Sequence, residues 1–249
     1  MLTIDIGNSR LKWAMASATG EWSQVHTTAI DLSLETIWEQ CEAPERILIS
    51  SVGSVQHRQK LNDILEKKWQ MAPEFVTSPS KGFGLSNAYK EPGRLGSDRW
   101  AAMIAAYHAV QSAVLVVDAG TALTIDAIDD QGQHLGGLIY PGLLLSRKSL
   151  LSGTNIEPEA INTEVNGADL FGTSTEQGIA FGTLHALSSL IDRAYSQLSE
   201  QLLAAGASSP PVCYLTGGDA EQIKDALQCA YVLEPSLVLK GLALIATDA

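Results

Sequence analysis

The chain opens in the same way twice. Asp5-Ile6-Gly7-Asn8-Ser9 and Asp118-Ala119-Gly120-Thr121-Ala122 each end an apolar segment, and their aspartates stand 113 residues apart. Before and after the first motif, the patterning of residues 2–7, 10–17 and 21–29 predicts three short strands. A helix over about 34–41, a strand at 46–52, a helix at 55–69 and a strand at 74–77 follow. Around the second motif, strands are expected at 113–118, 122–129 and 133–140, then a helical stretch at 142–151 and a long helix over 175–205. A strand at 212–216, a helix at 219–227, a strand at 230–233 and a last helix at 237–246 complete the set. The order β-β-β-α-β-α-β recurs, with an enlarged helical middle. Repetition at this length means two copies of one domain, because solenoid repeats run only about 20–50 residues. The expected architecture is therefore α/β: two mixed sheets flanked by helices, residues 1–112 and 113–249.

Asp-x-Gly at a strand end is also ordinary turn chemistry, since glycine supplies the positive φ that a turn needs. Two such motifs, each opening a similar unit, suggest a shared task. Backbone amides beside a side-chain-free glycine can approach a phosphate closely, and a neighbouring hydroxyl adds a donor. The carboxylate offers Mg²⁺ the oxygen ligand it prefers. Two hairpins facing each other would clamp a polyphosphate. A third glycine element, Thr216-Gly217-Gly218-Asp219, ends one predicted strand and opens a helix. It suits the nucleoside end of a nucleotide, or reads simply as a strand-to-helix turn capped by Asp219.

Composition narrows the partners. Sixteen Lys and Arg against 28 Asp and Glu give a net charge of −12, which speaks against a nucleic-acid or anionic-membrane surface. A small anion remains compatible, because local amides and a few cations suffice to bind it. Hydrophobic residues at 45% and charged residues at 18% fit a globular chain. Cys41, Cys213 and Cys229 are widely spaced, and the histidines at 26, 57, 108, 134 and 185 form no His-x-x-x-His pair, so neither a disulfide framework nor a zinc site is expected. The N-terminus reads as a strand, not as a leader, and the apolar runs at 113–117 and 237–246 fall far short of the ~20 residues that span a bilayer. A soluble, cytoplasmic protein is expected. All five tryptophans lie in the first 100 residues and suit the first core. Residues 79–94 read as a long loop of the kind that carries function, and 204–211 as a surface linker.

Duplicated domains with Asp-Gly hairpins and a late Thr-Gly-Gly resemble the acetate and sugar kinase, Hsp70 and actin superfamily, with its ribonuclease-H-like, actin-like domains. An ordered set of residues is similar more narrowly to the type III pantothenate kinases. It comprises Asp5, Ile6, Gly7, Asn8, Ser9, Arg10, Leu11 and Lys12, then Tyr89, then Gly96, Ser97, Asp98 and Arg99. Residues 117–122, 136–142, Thr173 with 175–178, and 216–219 extend it along nearly the whole chain. Ser9 stands where the family more often has threonine, and both provide a hydroxyl. The resemblance implies ATP-dependent phosphorylation of pantothenate to 4′-phosphopantothenate, the first step of coenzyme A synthesis. It implies that the stretch from Asp5 to Lys12 binds the ATP phosphates and that Thr121 also contacts ATP. Asp118 would hold a monovalent cation, K⁺ or NH₄⁺. Tyr89, Gly96, Ser97, Asp98, Arg99 and Thr173 would contact pantothenate, with Asp98 as general base. Mg-ATP is the implied co-substrate, and the implied assembly is a homodimer with its substrate pocket near the interface.

The residues themselves are compatible with these roles and with plainer ones. Pantothenate carries a carboxylate, two hydroxyls and an amide, and the planar fork of Arg99 suits a carboxylate. Arg99 could instead make a surface salt bridge. Asp98 opens a helical run over 99–110, where a carboxylate is a normal first-turn residue. That setting favours the ionised form and makes a weaker base, so Asp98 would orient the hydroxyl as much as deprotonate it. Asp118 beside a phosphate makes sense with a cation between them, or as a turn former. Two readings compete with the kinase: another small-molecule kinase or phosphatase of the superfamily, with no use for Tyr89, residues 96–99 and Thr173, and a non-enzymatic regulator.

Overall fold

The computed structural model describes residues 1–7, 10–16, 22–29, 38–39, 41–51, 55–154 and 169–247. It divides into two compact units, Met1–Ala109 with Ser236–Ala249, and Val110–Pro235.

In the first unit, β1 (Leu2–Ile6), β2 (Arg10–Met15), β3 (His26–Ala29), β4 (Ile47–Ser51) and β5 (Glu74–Phe75) form a sheet of order β3-β2-β1-β4-β5. The pairs β1/β2 and β2/β3 are antiparallel, whereas β1/β4 and β4/β5 are parallel. Alternation places Leu2, Ile4 and Ile6 on one face, where they pack with Leu11, Trp13 and Trp38 and with Leu61, Ile64 and Leu65 of helix α1 (Val55–Trp69). Trp38 meets Trp13 edge-on, the ring centroids 6.0 Å apart; of the tryptophans expected in the core, Trp13, Trp38 and Trp100 are buried, whereas Trp22 and Trp69 are half-buried. The predicted helix at 34–41 falls largely on residues 30–37 and 40, outside the described residues. The segment 79–94 is more ordered than a loop. It holds a hairpin of β6 (Lys81–Gly82) and β7 (Leu85–Ser86), then a 3₁₀ turn at Pro92–Arg94. Phe83 and Gly84 between the strands have φ of 53° and 76°, the pairing that a two-residue type I′ hairpin requires. Helix α2 (Ser97–Val110) is buried at Ser97 and at every position from Arg99 to Tyr107, as a helix apolar nearly all round must be.

The second unit repeats the pattern. Its strands are β8 (Val114–Ala119), β9 (Ala122–Ile128), β10 (His134–Pro141), β11 (Val212–Thr216) and β12 (Tyr231–Leu233), in the order β10-β9-β8-β11-β12. Antiparallel and parallel pairs fall at the equivalent places. Helix α3 (Leu143–Gly153) precedes the 30-residue α4 (Thr175–Ala204), whose buried Ala180, Leu184, Leu187, Ile191, Leu198 and Leu202 recur at helical spacing. Leu184, Leu187, Ile191, Leu198 and Leu202 share a core with Leu115, Val117, Leu123 and Ile125 of the sheet. The helix expected at 219–227 is shorter, α5 (Ala220–Ile223), and tightens into a 3₁₀ turn at Lys224–Ala226. The chain is α/β, with a mixed sheet of one topology used twice.

The last helix, α6 (Leu237–Thr247), groups with the first unit and packs on β1 and β4, with Leu237, Leu239 and Leu242 buried. Arg46 ties it down by donating to the Ala246 carbonyl while pairing with Glu74 at 2.9 Å. The division at residue 112 leaves this helix with the second half. Its apolar faces require cover, but a linear pattern does not say which sheet supplies it.

Candidate active site

Strand register sets the site. Asp5 of β1 lies opposite Lys12 of β2 and beside Ser50 of β4. Asp118 of β8 lies opposite Thr124 of β9 and beside Thr216 of β11. Paired residues share a sheet face, so each unit carries a polar row centred on aspartate at the end of its central strand. The rows differ in charge, because lysine in the first is replaced by threonine in the second. The hairpins differ as well. Gly7 N–H donates to Arg10 O at 3.0 Å, three residues on, whereas Gly120 N–H donates to Ala122 O at 3.2 Å, two residues on. The second turn is one residue tighter and lacks the two cations, Arg10 and Lys12, that follow the first. Asn8 and Ser9 lie outside the described residues.

In the second unit three glycine elements meet around residues 119–121. Gly142 N–H, at the start of α3, donates to Thr121 O at 3.0 Å, and a Cβ on Gly142 would stand 2.0 Å from Gly120 O. Gly217 has φ of 101°, and a Cβ there would come within 2.3 Å of Ala119 O, which accepts from Asp219 N–H at 2.8 Å. Only glycine fits either place. Asp118, Thr121, Gly217 and Gly218 are thus brought together. Arg147 of α3, 6% exposed, donates to the Thr183 hydroxyl at 3.1 Å. Burial draws its guanidinium below the ordinary range, opposed by the charge of Asp219.

The remaining first-unit residues converge on the N-terminus of α2. The Ser97 hydroxyl lies 3.2 Å from Ser50 Oγ and accepts from Ser51 N–H at 3.2 Å. Through Ser50, the start of α2 is anchored beside the cross-strand neighbour of Asp5. Asp98 Oδ1 accepts from Arg99 N–H at 2.7 Å, in the first turn. The neighbouring Arg99 is 7% exposed; its Nη1 donates to Tyr89 Oη at 2.8 Å, and its guanidinium carbon lies 5.6 Å from the Tyr89 ring centroid. Arg99 is thus buried against Tyr89 and does not lie on the surface. Ser78 secures the approach to the helix by donating to Leu95 O at 3.0 Å, next to Gly96. Thr173 stands in the second unit at the start of α4, exposed, where its N–H and hydroxyl both donate to Gln177 Oε1. Ser50, Ser78 and Arg147 are contributions that motif reading misses, and so are the anchoring by Ser97 and the close approach at Gly142, two residues the motifs contain without these roles. A signal existed for Ser50 and Ser51, a hydroxyl pair ending an otherwise apolar strand, since buried hydroxyls require partners.

A family model for type III pantothenate kinase matches residues 1–197. A Nitrosospira multiformis protein named type III pantothenate kinase is 34% identical over 249 residues, which cover 100% of this chain and 91% of that protein. Among solved structures, a Campylobacter jejuni protein assigned to the Baf family of transcriptional activators aligns with a TM-score of 0.60 at 24% identity, over 100% of this chain and 98% of that one. The activator of 2-hydroxyisocaproyl-CoA dehydratase from Clostridium difficile, solved with bound ADPNP, aligns with a TM-score of 0.52 at 12% identity, over 100% and 94%. These two structural likenesses bear on the fold alone.

Proposed function

The chain belongs to the type III pantothenate kinase family, and from that premise we propose how its residues share the work of phosphorylating pantothenate with ATP, the first step of coenzyme A synthesis. The pantothenate hydroxyl oxygen bonds to the γ-phosphorus, the bond from that phosphorus to the β–γ bridging oxygen breaks, and ADP leaves. The hydroxyl proton passes to the Asp98 carboxylate. The transition state is loose, so the proton leaves late and Asp98 orients the hydroxyl as much as it deprotonates it. Arg99 receives the pantothenate carboxylate, with Tyr89, Gly96, Ser97 and Thr173 as further contacts. Asp5, Ile6, Gly7, Asn8, Ser9, Arg10, Leu11 and Lys12 bind the phosphates, while Thr121, Gly217 and Gly218 take the rest of the nucleotide.

One observation carries this reading: Ser97, next to Asp98, bonds to Ser50, the strand neighbour of Asp5. The proposed phosphate hairpin and the proposed base thus share one anchored edge of the first unit. Oxygen donors fit the expected cations. Mg²⁺ commonly binds one or two carboxylates plus substrate phosphates, for which Asp5 is suited, and it neutralises charge between the β- and γ-phosphates. Asp118, flanked by Thr124 and Thr216, offers the all-oxygen setting that K⁺ favours.

Leu138, Ile139 and Tyr140 on edge strand β10 and Leu144 and Leu145 on α3 are 44–65% exposed. An exposed apolar edge of this kind is a template for another chain, which supports a homodimer formed through β10 and α3. Among the described residues no helix is long and apolar enough to cross a membrane. The free thiols of Cys41, Cys213 and Cys229 suit a reducing, cytoplasmic setting. The test is ADP release by the purified protein in Mg-ATP, with and without pantothenate, in K⁺ and again in Na⁺ buffer. Pantothenate-dependent release favouring K⁺ is expected. Turnover indifferent to pantothenate would move the acceptor to another small molecule.

A further inference from the structure

Tyr89 lies in an irregular stretch between β7 and the 3₁₀ turn, yet its backbone and its ring are both fixed. Asn87 supplies the backbone half of that order. Its N–H donates to Ser80 O at 2.9 Å, extending the β6/β7 ladder by one step. Its side-chain amide donates to Pro79 O and to Pro92 O, each at 3.2 Å, and its side-chain oxygen accepts from Tyr89 N–H at 2.9 Å. One carboxamide therefore ties together the entry of the hairpin, the start of the 3₁₀ turn and Tyr89 itself. The Tyr89 hydroxyl in turn accepts from buried Arg99.

We propose that Asn87 is a positioning residue for the acceptor substrate, holding Tyr89, and through it Arg99, in the geometry that receives pantothenate. The inference rests on the reading of Tyr89 and Arg99 as pantothenate contacts. The chemistry is specific to a carboxamide. Two N–H donors face two carbonyls while the oxygen faces an N–H, and no other side chain of this length presents that set. Aspartate has the same shape but turns an oxygen toward the Pro79 and Pro92 carbonyls, replacing two attractions by two repulsions. Serine can still accept weakly from Tyr89 N–H but reaches neither carbonyl.

The test is steady-state kinetics of the full chain carrying Asn87→Asp, Asn87→Ser, Tyr89→Phe and the double change Asn87→Asp with Tyr89→Phe. Asn87→Asp is expected to raise KM for pantothenate roughly tenfold, the usual consequence of losing partly buried hydrogen bonds, with KM for ATP within about twofold. Asn87→Ser gives a smaller rise in the same constant and serves alone if the aspartate variant melts early. In the double variant the two effects are less than additive, because Asn87 acts through Tyr89. If Tyr89→Phe raises the pantothenate KM while both Asn87 variants leave it unchanged, or if the effects add in full, the role of Asn87 is overturned and the reading of the site stands. If Tyr89→Phe leaves that constant unchanged, the reading of Tyr89 itself fails.

Discussion

Asp98 and Arg99 are neighbours in sequence with different fates: consecutive helical residues point about 100° apart. Arg99 turns into the protein to meet Tyr89, whereas Asp98 stays half-buried at the helix start. Asp98→Asn keeps the size and the first-turn position but removes the proton acceptor. It is expected to lower kcat by about 10²–10⁴-fold with the pantothenate KM changed only a few-fold, and initial-rate kinetics decide it. A kcat within a few-fold of the parent would remove Asp98 from the chemistry. Gly217 makes a different kind of prediction. Its positive φ and the 2.3 Å approach to Ala119 O leave no room for a methyl group. Gly217→Ala should therefore displace the turn, costing about 1–3 kcal/mol in denaturant unfolding, and should raise the ATP KM more than the pantothenate KM. At this scale the sequence names the candidate side chains with chemistry of their own, both hairpin aspartates, Tyr89, Asp98, Arg99 and Thr173, and the structure joins Tyr89 to Arg99. Ser50, Ser97 as its partner, and the need for glycine at 142 could not be read there. Their roles come from strand register and close approach, which no local pattern encodes.

Two elements invite experiment, the edge strand β10 and the helix α6. β10 closes one edge of its sheet, and its second half is exposed on both faces, with Ile139 at 65%. Ile139→Lys puts a charge on that edge and is expected to convert a dimer to monomer without loss of helix or sheet, as light scattering after gel filtration and circular dichroism would report. A lysine variant that remains dimeric would assign the interface elsewhere. The second element is α6. Leu242 is fully buried against the first unit, and Leu242→Ala should cost about 2–4 kcal/mol. Tryptophan fluorescence reads this selectively, because all five tryptophans belong to the first unit. The midpoint of the fluorescence transition in urea should fall; an unmoved midpoint would mean that α6 stabilises the second unit. Strand and helix positions were largely legible, with 55–69 and 212–216 matching the observed bounds. The partner of α6 and the hairpin within 79–94 were not. An apolar helix advertises burial without an address, and Phe83 at positive φ hides a type I′ turn from rules that look for Asn-Gly.

Duplication gives the whole molecule two aspartate-centred rows on one sheet topology, and the labour proposed for them differs with their charge. The first row keeps Lys12, with Arg10 nearby, and can meet phosphate directly. The second has threonine where the first has lysine, and the role proposed for Asp118 is to hold a cation before an anion approaches. This local role sits within a protein of net charge −12 whose substrates are also anions. Added salt of any kind screens the general repulsion, since the Debye length falls to about 10 Å at 0.1 M. A bound cation must act differently, because it depends on ion size and ligand geometry and not on ionic strength. Titration with KCl and with tetramethylammonium chloride at matched ionic strength separates the two. Both salts should lower the ATP KM modestly, and K⁺ alone should raise kcat/KM further, to a plateau. Asp118→Asn should abolish the difference between the salts while leaving the shared screening effect. Superimposable titrations for the parent protein would leave Asp118 as a turn residue and the molecule's charge as the only electrostatic influence on its substrates.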